Sequence, residues 1–392
     1  VTVPGPWLRG CALFGAAATG VAAASGPLGL THRALVGIAL PPLVAVALAA
    51  WQAYPQLRLP AYASLASFVG ASVTWWFAPA HVALAAVSFA CAAVAAALAF
   101  RGDAGPTGSW RDYVTLTKPR IMALLLVTGA GGMFVGAQGV PPLADLGVML
   151  LGLALACGGA SALNHLLDRD IDRLMGKRTE RRPVAAGRVA PARALEFGLA
   201  LSAASFVLLA SLANVPTAVL ALVGNLFYVL VYTRWLKRST SQNIVIGGAA
   251  GAVPPLVGYA AATGALALPS LWLFLIVFLW TPPHFWALAL LIKDNYANAR
   301  VPMLPVVRGD RETARQIVLY SVVMVAFTLA VTPWLGPIYG AAAAVLGGAF
   351  LWLAWELRRD LTRRRAAVLF HYSLAYLALL FVAAAIDPVV LS

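Results

Sequence analysis

An all-α fold, a polytopic bundle of membrane-spanning helices, is the class this sequence predicts, and three observations predict it. The first is composition: 61% of the 392 residues are hydrophobic and only 11% are charged, where a soluble domain carries about 25% charged residues. The second is the collection of apolar residues into stretches of roughly 17 to 24, enough to cross about 30 Å of hydrocarbon as a helix. The third is that basic residues crowd into alternate connections. Only helices and closed barrels satisfy every backbone group in lipid, and the alternating pattern of barrel strands is absent.

Taken in chain order, residues 1 to about 103 hold four apolar segments: Leu8–Ala24, Ala34–Trp51, Ala61–Trp76 and His81–Phe100. The first follows Arg9 and is rich in Ala and Gly, a makeup shared by signal peptides and membrane helices; the membrane segments behind it favour a helix. Gly, Pro, Asp and Ser between Arg101 and Trp110 make a linker. The block from 111 to 392 holds nine further segments. Five are Ile121–Gln138, Leu146–Leu163, Leu195–Leu212, Pro216–Tyr232 and Gly247–Gly264; a sixth runs through Thr281, and the last three lie near Arg315–Trp334, Tyr339–Trp355 and Val368–Val389. No tandem repeat stands out.

Charge orients the bundle. Lys and Arg cluster in Arg101–Arg120, Arg169–Arg193, Arg234–Arg238, Lys293–Arg315 and Arg358–Arg365. The connections between them, around Gly139–Asp145, Ala213–Val215, Thr263–Pro269 and Pro333–Pro337, contain neither. Positive loops stay in the cytoplasm, so the expected location is the inner membrane of a prokaryotic cell, with the C-terminus outside. The net charge of +14 is therefore topology first and attraction for anionic groups second. No element reads as a nucleic-acid platform. Cys11, Cys91 and Cys157 lie in apolar runs without metal-ligand spacing and read as small buried hydrophobes.

The residues that carry chemistry sit where a span meets a cationic loop. Asn164, Asp168 and Asp172 are spaced by four, which keeps them on one helical face with a drift of about 40° per step. Oxygen-bearing side chains in such a stripe suit magnesium, which takes a few carboxylates and completes its shell with water and phosphate oxygens. Asp170 points elsewhere on that helix. Arg178, Arg181 and Arg182 follow, and carboxylates beside guanidinium groups suit a metal–diphosphate complex. A solvated acidic helix end is the plainer alternative.

A second polar stretch follows Pro282-Pro283, a pair expected to kink or break its helix and so to line a cavity. It contains His284, Lys293 and Asp294, with Asp294 a candidate for a second metal position; Trp286 and Tyr296 read as interfacial aromatics. A third runs from Tyr228 through Tyr232, Thr233, Lys237 and Arg238 to Gln242 and Asn243, ahead of a Gly/Ala-rich span broken by Pro254-Pro255. His284 is a polar group at membrane depth, which marks it as a functional candidate.

Asn164–Asp172, with Met175, Arg178-Thr179 and Arg182-Pro183, resembles the first aspartate motif of the UbiA-type intramembrane aromatic prenyltransferases. Tyr232-Thr233 through Gly248, Thr281-Pro-Pro-His-Phe-Trp-Ala-Leu288 and Val301-Pro-Met-Leu-Pro-Val-Val307 are similar to the protohaem IX farnesyltransferase branch. The likeness covers about residues 111 to 385. It implies a nine-helix core, Mg2+ at Asn164, Asp168, Asp172 and Asp294, diphosphate contacts from Arg178, Arg182, Lys237, Arg238 and Lys293, and farnesyl transfer to a vinyl group of haem B. His284 and His165 become candidates for positioning the haem. One departure is that Asn295 and Asn298 flank a single acid, Asp294, where the second motif often holds two.

Residues 1 to 103 resemble one four-helix half of haem A synthase, the enzyme acting next on haem O. That likeness implies that His32 and His81 can hold a bound haem, and it makes haem A synthase itself an expected partner. Two other readings stay open: a prenyltransferase acting on a quinone precursor or chlorophyll-type ring, and a transporter with broken helices. The acidic stripe at a helix end, rather than at mid-bilayer, speaks against the transporter.

Overall fold

The computed structural model describes residues 105–390. The N-terminal block with His32 and His81 lies outside the described residues, as does the side chain of Arg178. A short amphipathic helix, α1 (Trp110–Thr117), leads into the first span, α2 (Pro119–Ala137). Next come α3 (Leu143–Leu167), the short α4 (Arg169–Leu174) and α5 (Lys177–Glu180), and α6 (Pro191–Leu212). The span α7 (Val215–Ser239) is π-helical from Phe227 to Leu236. Then follow α8 (Asn243–Thr263), α9 (Leu268–Leu291), α10 (Lys293–Asn298), α11 (Leu304–Ala330), α12 (Thr332–Leu335), α13 (Pro337–Arg359) and α14 (Arg363–Val390). Nine helices among the described residues are long and apolar enough to cross a membrane, as the hydropathy pattern led us to expect. The described residues contain no strand beyond one bridge, Thr107 to Val189.

Packing follows residue size. α3 lies along α6, α2 against α8 and α14, and α9 against α11 and α14. One large core joins α9, α11, α13 and α14 through Trp286, Tyr339, Phe350, Tyr376 and Phe381. A smaller one joins α2, α3, α6, α7 and α8 through Met133, Met149, Leu209 and Val257. Leu151, Leu230, Val345 and Leu379 face outward, as lipid-facing side chains do when hydrocarbon is the solvent.

Three expectations needed correction. The proline pairs do not break their helices: Pro254 and Pro255 lie inside α8, and Pro282 and Pro283 inside α9. Neighbours fill the space that proline disturbs. A side chain on Gly132 would strike the backbone of Pro255, and one on Gly258 would strike Gly129, so α2 and α8 approach backbone to backbone. Second, the cationic stretch before residue 315 is largely helical: α11 starts at Leu304 and is interrupted only at Gly309, whose φ of 79° needs glycine. Third, the acidic stripe does not lie on one unbroken helix. Asp168 is the residue between α3 and α4, although the Asp168 N–H to Asn164 carbonyl bond (2.9 Å) and the Asp172 N–H to Asp168 carbonyl bond (2.8 Å) keep the three side chains in register.

Candidate active site

The end of α3 and the start of α4 deliver Asp168 and Asp172 into the interior, both fully buried. Such burial is tolerable for a carboxylate only with paired charge. Lys237 from the end of α7 donates to Asp168 Oδ2 at 2.5 Å, and Arg182 donates to Asp172 Oδ1 at 2.6 Å. Asn164 fixes Asp168. Its amide nitrogen donates to Asp168 Oδ2 (2.8 Å) and to the Thr233 hydroxyl (3.1 Å), and its oxygen accepts from Lys118 at 2.7 Å. This stretch of α7 is π-helical, and two side chains of α7 four residues apart, Thr233 and Lys237, reach the site, while the Tyr228 and Tyr232 rings stack at 5.5 Å.

One oxygen of each carboxylate, Asp168 Oδ1 and Asp172 Oδ2, is buried without a hydrogen-bond donor. Two such bare, desolvated oxygens surrounded by cations fit a hard divalent ion and its phosphate ligands. Burial pushes the Asp172 carboxyl above its ordinary value, opposed by Arg182 and reinforced by Asp168. Burial also pushes Lys118 down to about 7, helped by repulsion from Arg182 and Lys237. The site thus holds more positive charge than its two carboxylates balance, as an anionic ligand requires.

The remaining candidates divide. Arg238 makes a two-pronged pair with the exposed Asp170, at 2.6 and 2.7 Å, and stays 3.8 Å from Asp168. Lys293 pairs with Asp310 at 2.8 Å, away from the carboxylates. Asp294 is exposed, and no group of three or more His, Cys, Asp or Glu able to hold a metal forms among the described residues. Asn295, its neighbour, reaches inward instead and donates to the Met175 carbonyl. His165 is buried with both ring nitrogens unpartnered. Tyr296 and Trp286 are buried rather than interfacial: Trp286 meets Tyr320 edge-on at 5.2 Å. Burial pushes the Tyr296 phenol up to about 12.

Lys118 was missed in the sequence because a single lysine in a basic loop carries no periodic signal. The clue was its place before Pro119, where it holds a left-handed φ of 50°. Thr233 was visible only as part of a polar run.

A membrane bundle with two buried carboxylates ringed by cations at one helix end defines a class, the intramembrane prenyltransferases. The chain belongs to the UbiA prenyltransferase family, which matches residues 124–382. Within it, the chain is 53% identical over 281 residues to a protoheme IX farnesyltransferase of Symbiobacterium thermophilum, covering 71% of this chain and 94% of that one. It is 54% identical over 287 residues to one of Gloeobacter violaceus, covering 71% and 92%. A protoheme IX farnesyltransferase of a Roseiflexus species is 53% identical over 283 residues, and there the match spans only 53% of the relative's length. The fold is shared with a digeranylgeranylglyceryl phosphate synthase (TM-score 0.59, 16% identity, 71% and 98% of the two chains). It is also shared with an Archaeoglobus fulgidus UbiA homologue bound to GPP and Mg2+ (TM-score 0.55, 17% identity, 70% and 99%).

Proposed function

We propose that this chain transfers the farnesyl group of farnesyl diphosphate to a vinyl group of haem B, making haem O. The observation that carries the reading is the pair of buried carboxylates, each with one oxygen bare, facing Lys118, Arg182 and Lys237. The protoheme IX farnesyltransferase relatives at about half identity supply the acceptor.

Asp168 and Asp172 would hold Mg2+ through the bare oxygens, with Asn164 fixing Asp168. When bound, magnesium neutralises part of the diphosphate charge and makes it a better leaving group. Arg182, Lys237 and Lys118 bind the remaining phosphate oxygens, with Arg238 contributing from the rim, and Arg178 is a further diphosphate contact on the strength of the motif resemblance. Asp294 and Lys293 stand at the outer edge of the same end, Asp294 as a candidate for a second ion. The C1–O bond of farnesyl diphosphate breaks, and the diphosphate leaves with its electron pair. The vinyl π pair of haem attacks C1, water adds to the resulting cation, and one proton is released. Apolar walls keep water from C1 until then.

The cationic loops support the reading that this end faces the cytoplasm, with the C-terminus outside. A haem bound by His32 and His81, and hand-over to a haem A synthase, are further proposals that rest on the N-terminal resemblance.

The test is conversion of haem B and farnesyl diphosphate by purified protein. Wild type with Mg2+ should form haem O, and both Asp168→Ala and chelation should abolish it, measured by chromatography of extracted haem. A wild type that binds both substrates yet farnesylates only a quinone-type ring would overturn the acceptor.

A further inference from the structure

Of the five histidines in the chain, three lie in the described bundle and differ in what their ring nitrogens can do. His371 is exposed and engages the Ala367 carbonyl of its own helix through Nδ1 at 2.7 Å. His165 has both nitrogens sealed in. His284 is different: it is 6% exposed and enclosed by aromatic rings. Its ring is stacked between Trp280 at 4.3 Å and Phe370 at 4.9 Å, with Phe285 edge-on at 5.0 Å.

The hydrogen bonds also fix its proton. The Ser373 hydroxyl donates its single hydrogen to the Phe370 carbonyl at 2.7 Å. At 2.6 Å from His284 Nδ1 it therefore acts as acceptor, so Nδ1 carries the proton. Ser373 is itself immobilised, since Trp280 Nε1 donates to its carbonyl at 2.8 Å. Nε2 is then left with its lone pair and no hydrogen-bond partner among the described residues. A protonated Nδ1 held by an oxygen with Nε2 free is the arrangement that orients imidazole as a metal ligand.

Depth fits as well. His284 lies two turns before α9 ends at Leu291, about 10 Å into the bundle. That is the carboxylate end, because Asn295, just beyond α9, bonds to Met175, just beyond α4.

We propose that His284 Nε2 is the axial ligand to the iron of the porphyrin acceptor, with Ser373 the positioning residue that fixes the ring; this rests on the haem reading above. Iron held there would put the porphyrin at the same end of the bundle as Asp168.

The test uses the full chain carrying His32→Ala and His81→Ala, so that histidines outside the described bundle add no signal. Ferric haem B and iron-free protoporphyrin IX are titrated without farnesyl diphosphate and followed by visible absorption. The parent should show a histidine-ligated spectrum and prefer haem B. His284→Ala should lose both, regain the ligated spectrum with added imidazole, and still bind farnesyl diphosphate with Mg2+. His284→Met should give a thioether-ligated spectrum, which covers the case where the alanine variant does not fold. Ser373→Ala should weaken haem B binding about tenfold and shift the spectrum, as loss of a bond behind a ligand does. A ligated spectrum and iron preference that survive in His284→Ala, or that vanish in His165→Ala instead, would overturn the assignment. Product formation is scored separately: haem O made by the parent while His284→Ala keeps its ligated spectrum defeats the ligation alone, whereas ligation without product defeats the reaction alone.

Discussion

Lys118, at the start of α2, joins the carboxylate site through one hydrogen bond. Its ammonium donates to Asn164 Oδ1, and the Asn164 amide in turn steadies Asp168. Lys118→Met keeps the length of the side chain and removes the charge. Hydrogen bonds to charged groups are worth roughly 1.5–3 kcal/mol, so kcat/KM for farnesyl diphosphate should fall about tenfold to a hundredfold, with haem binding retained. Steady-state kinetics at saturating haem would show it, and an unchanged constant would remove Lys118 from the site. The acidic stripe was legible because four-residue spacing is a property of the local chain. Lys118 was not, because its partner lies on another helix and only packing brings them together. Nor could spacing reveal that Arg238 spends its guanidinium on Asp170, or that Lys293 turns to Asp310.

At the scale of single elements, helix ends decide more than helix middles. α1 opens with a capping box: the Ser109 N–H donates to Asp112 Oδ2 at 3.0 Å, and the Asp112 N–H donates to Ser109 Oγ at 3.3 Å. Arg188 Nε donates to Asp112 Oδ1 at 2.9 Å and ties the loop after α5 to α1. The Ser109 bond above all, with Arg188, holds the Asp112 carboxyl below its ordinary 3.8. A depressed carboxylate stabilises the fold above its unfolded value of about 3.9 and loses that contribution as pH falls through the lower folded value. The melting-temperature gap between wild type and Asp112→Asn should therefore shrink on titration from about pH 6 to about pH 3; a constant gap would show that Asp112 acts through shape alone.

A second cap is built across helices. Asp387 on α14 is buried and accepts from the N–H groups of Ile338 (3.1 Å) and Tyr339 (2.5 Å) at the start of α13. Gly336 leaves room for it, having φ of 100° and a position where any side chain would strike the carboxylate. Negative charge also suits a helix N-terminus. Asp387→Ala should destabilise the solubilised protein by about 2 kcal/mol, read by denaturant or thermal unfolding. Asn should recover part of this.

On the scale of the whole molecule, the arrangement is one of ends. The carboxylates, their cations and His284 lie toward a single end of the bundle, and the opposite connections carry no basic residue. In a variant lacking native cysteines, Glu180→Cys should react with an impermeant maleimide only from the cytoplasmic side and Val140→Cys only from outside. The reverse pattern in sealed, oriented vesicles would invert the topology.

The sequence by itself determined that the chain lives in lipid, that it is helical, how many spans follow residue 110, and which acids share a face. These are local properties, fixed by transfer energy, backbone satisfaction and helical period. Tertiary structure decided the rest. It kept both proline pairs inside continuous helices, and at Pro254-Pro255 glycine on α2 leaves room for α8. It turned Asp294 outward and Asn295 inward, and it drew Tyr296 and Trp286 into the interior. It also separated His284, with one nitrogen anchored and one free, from His165, with both enclosed. A side chain's partners come from helices far away in the chain, so their identity is settled only when the bundle closes.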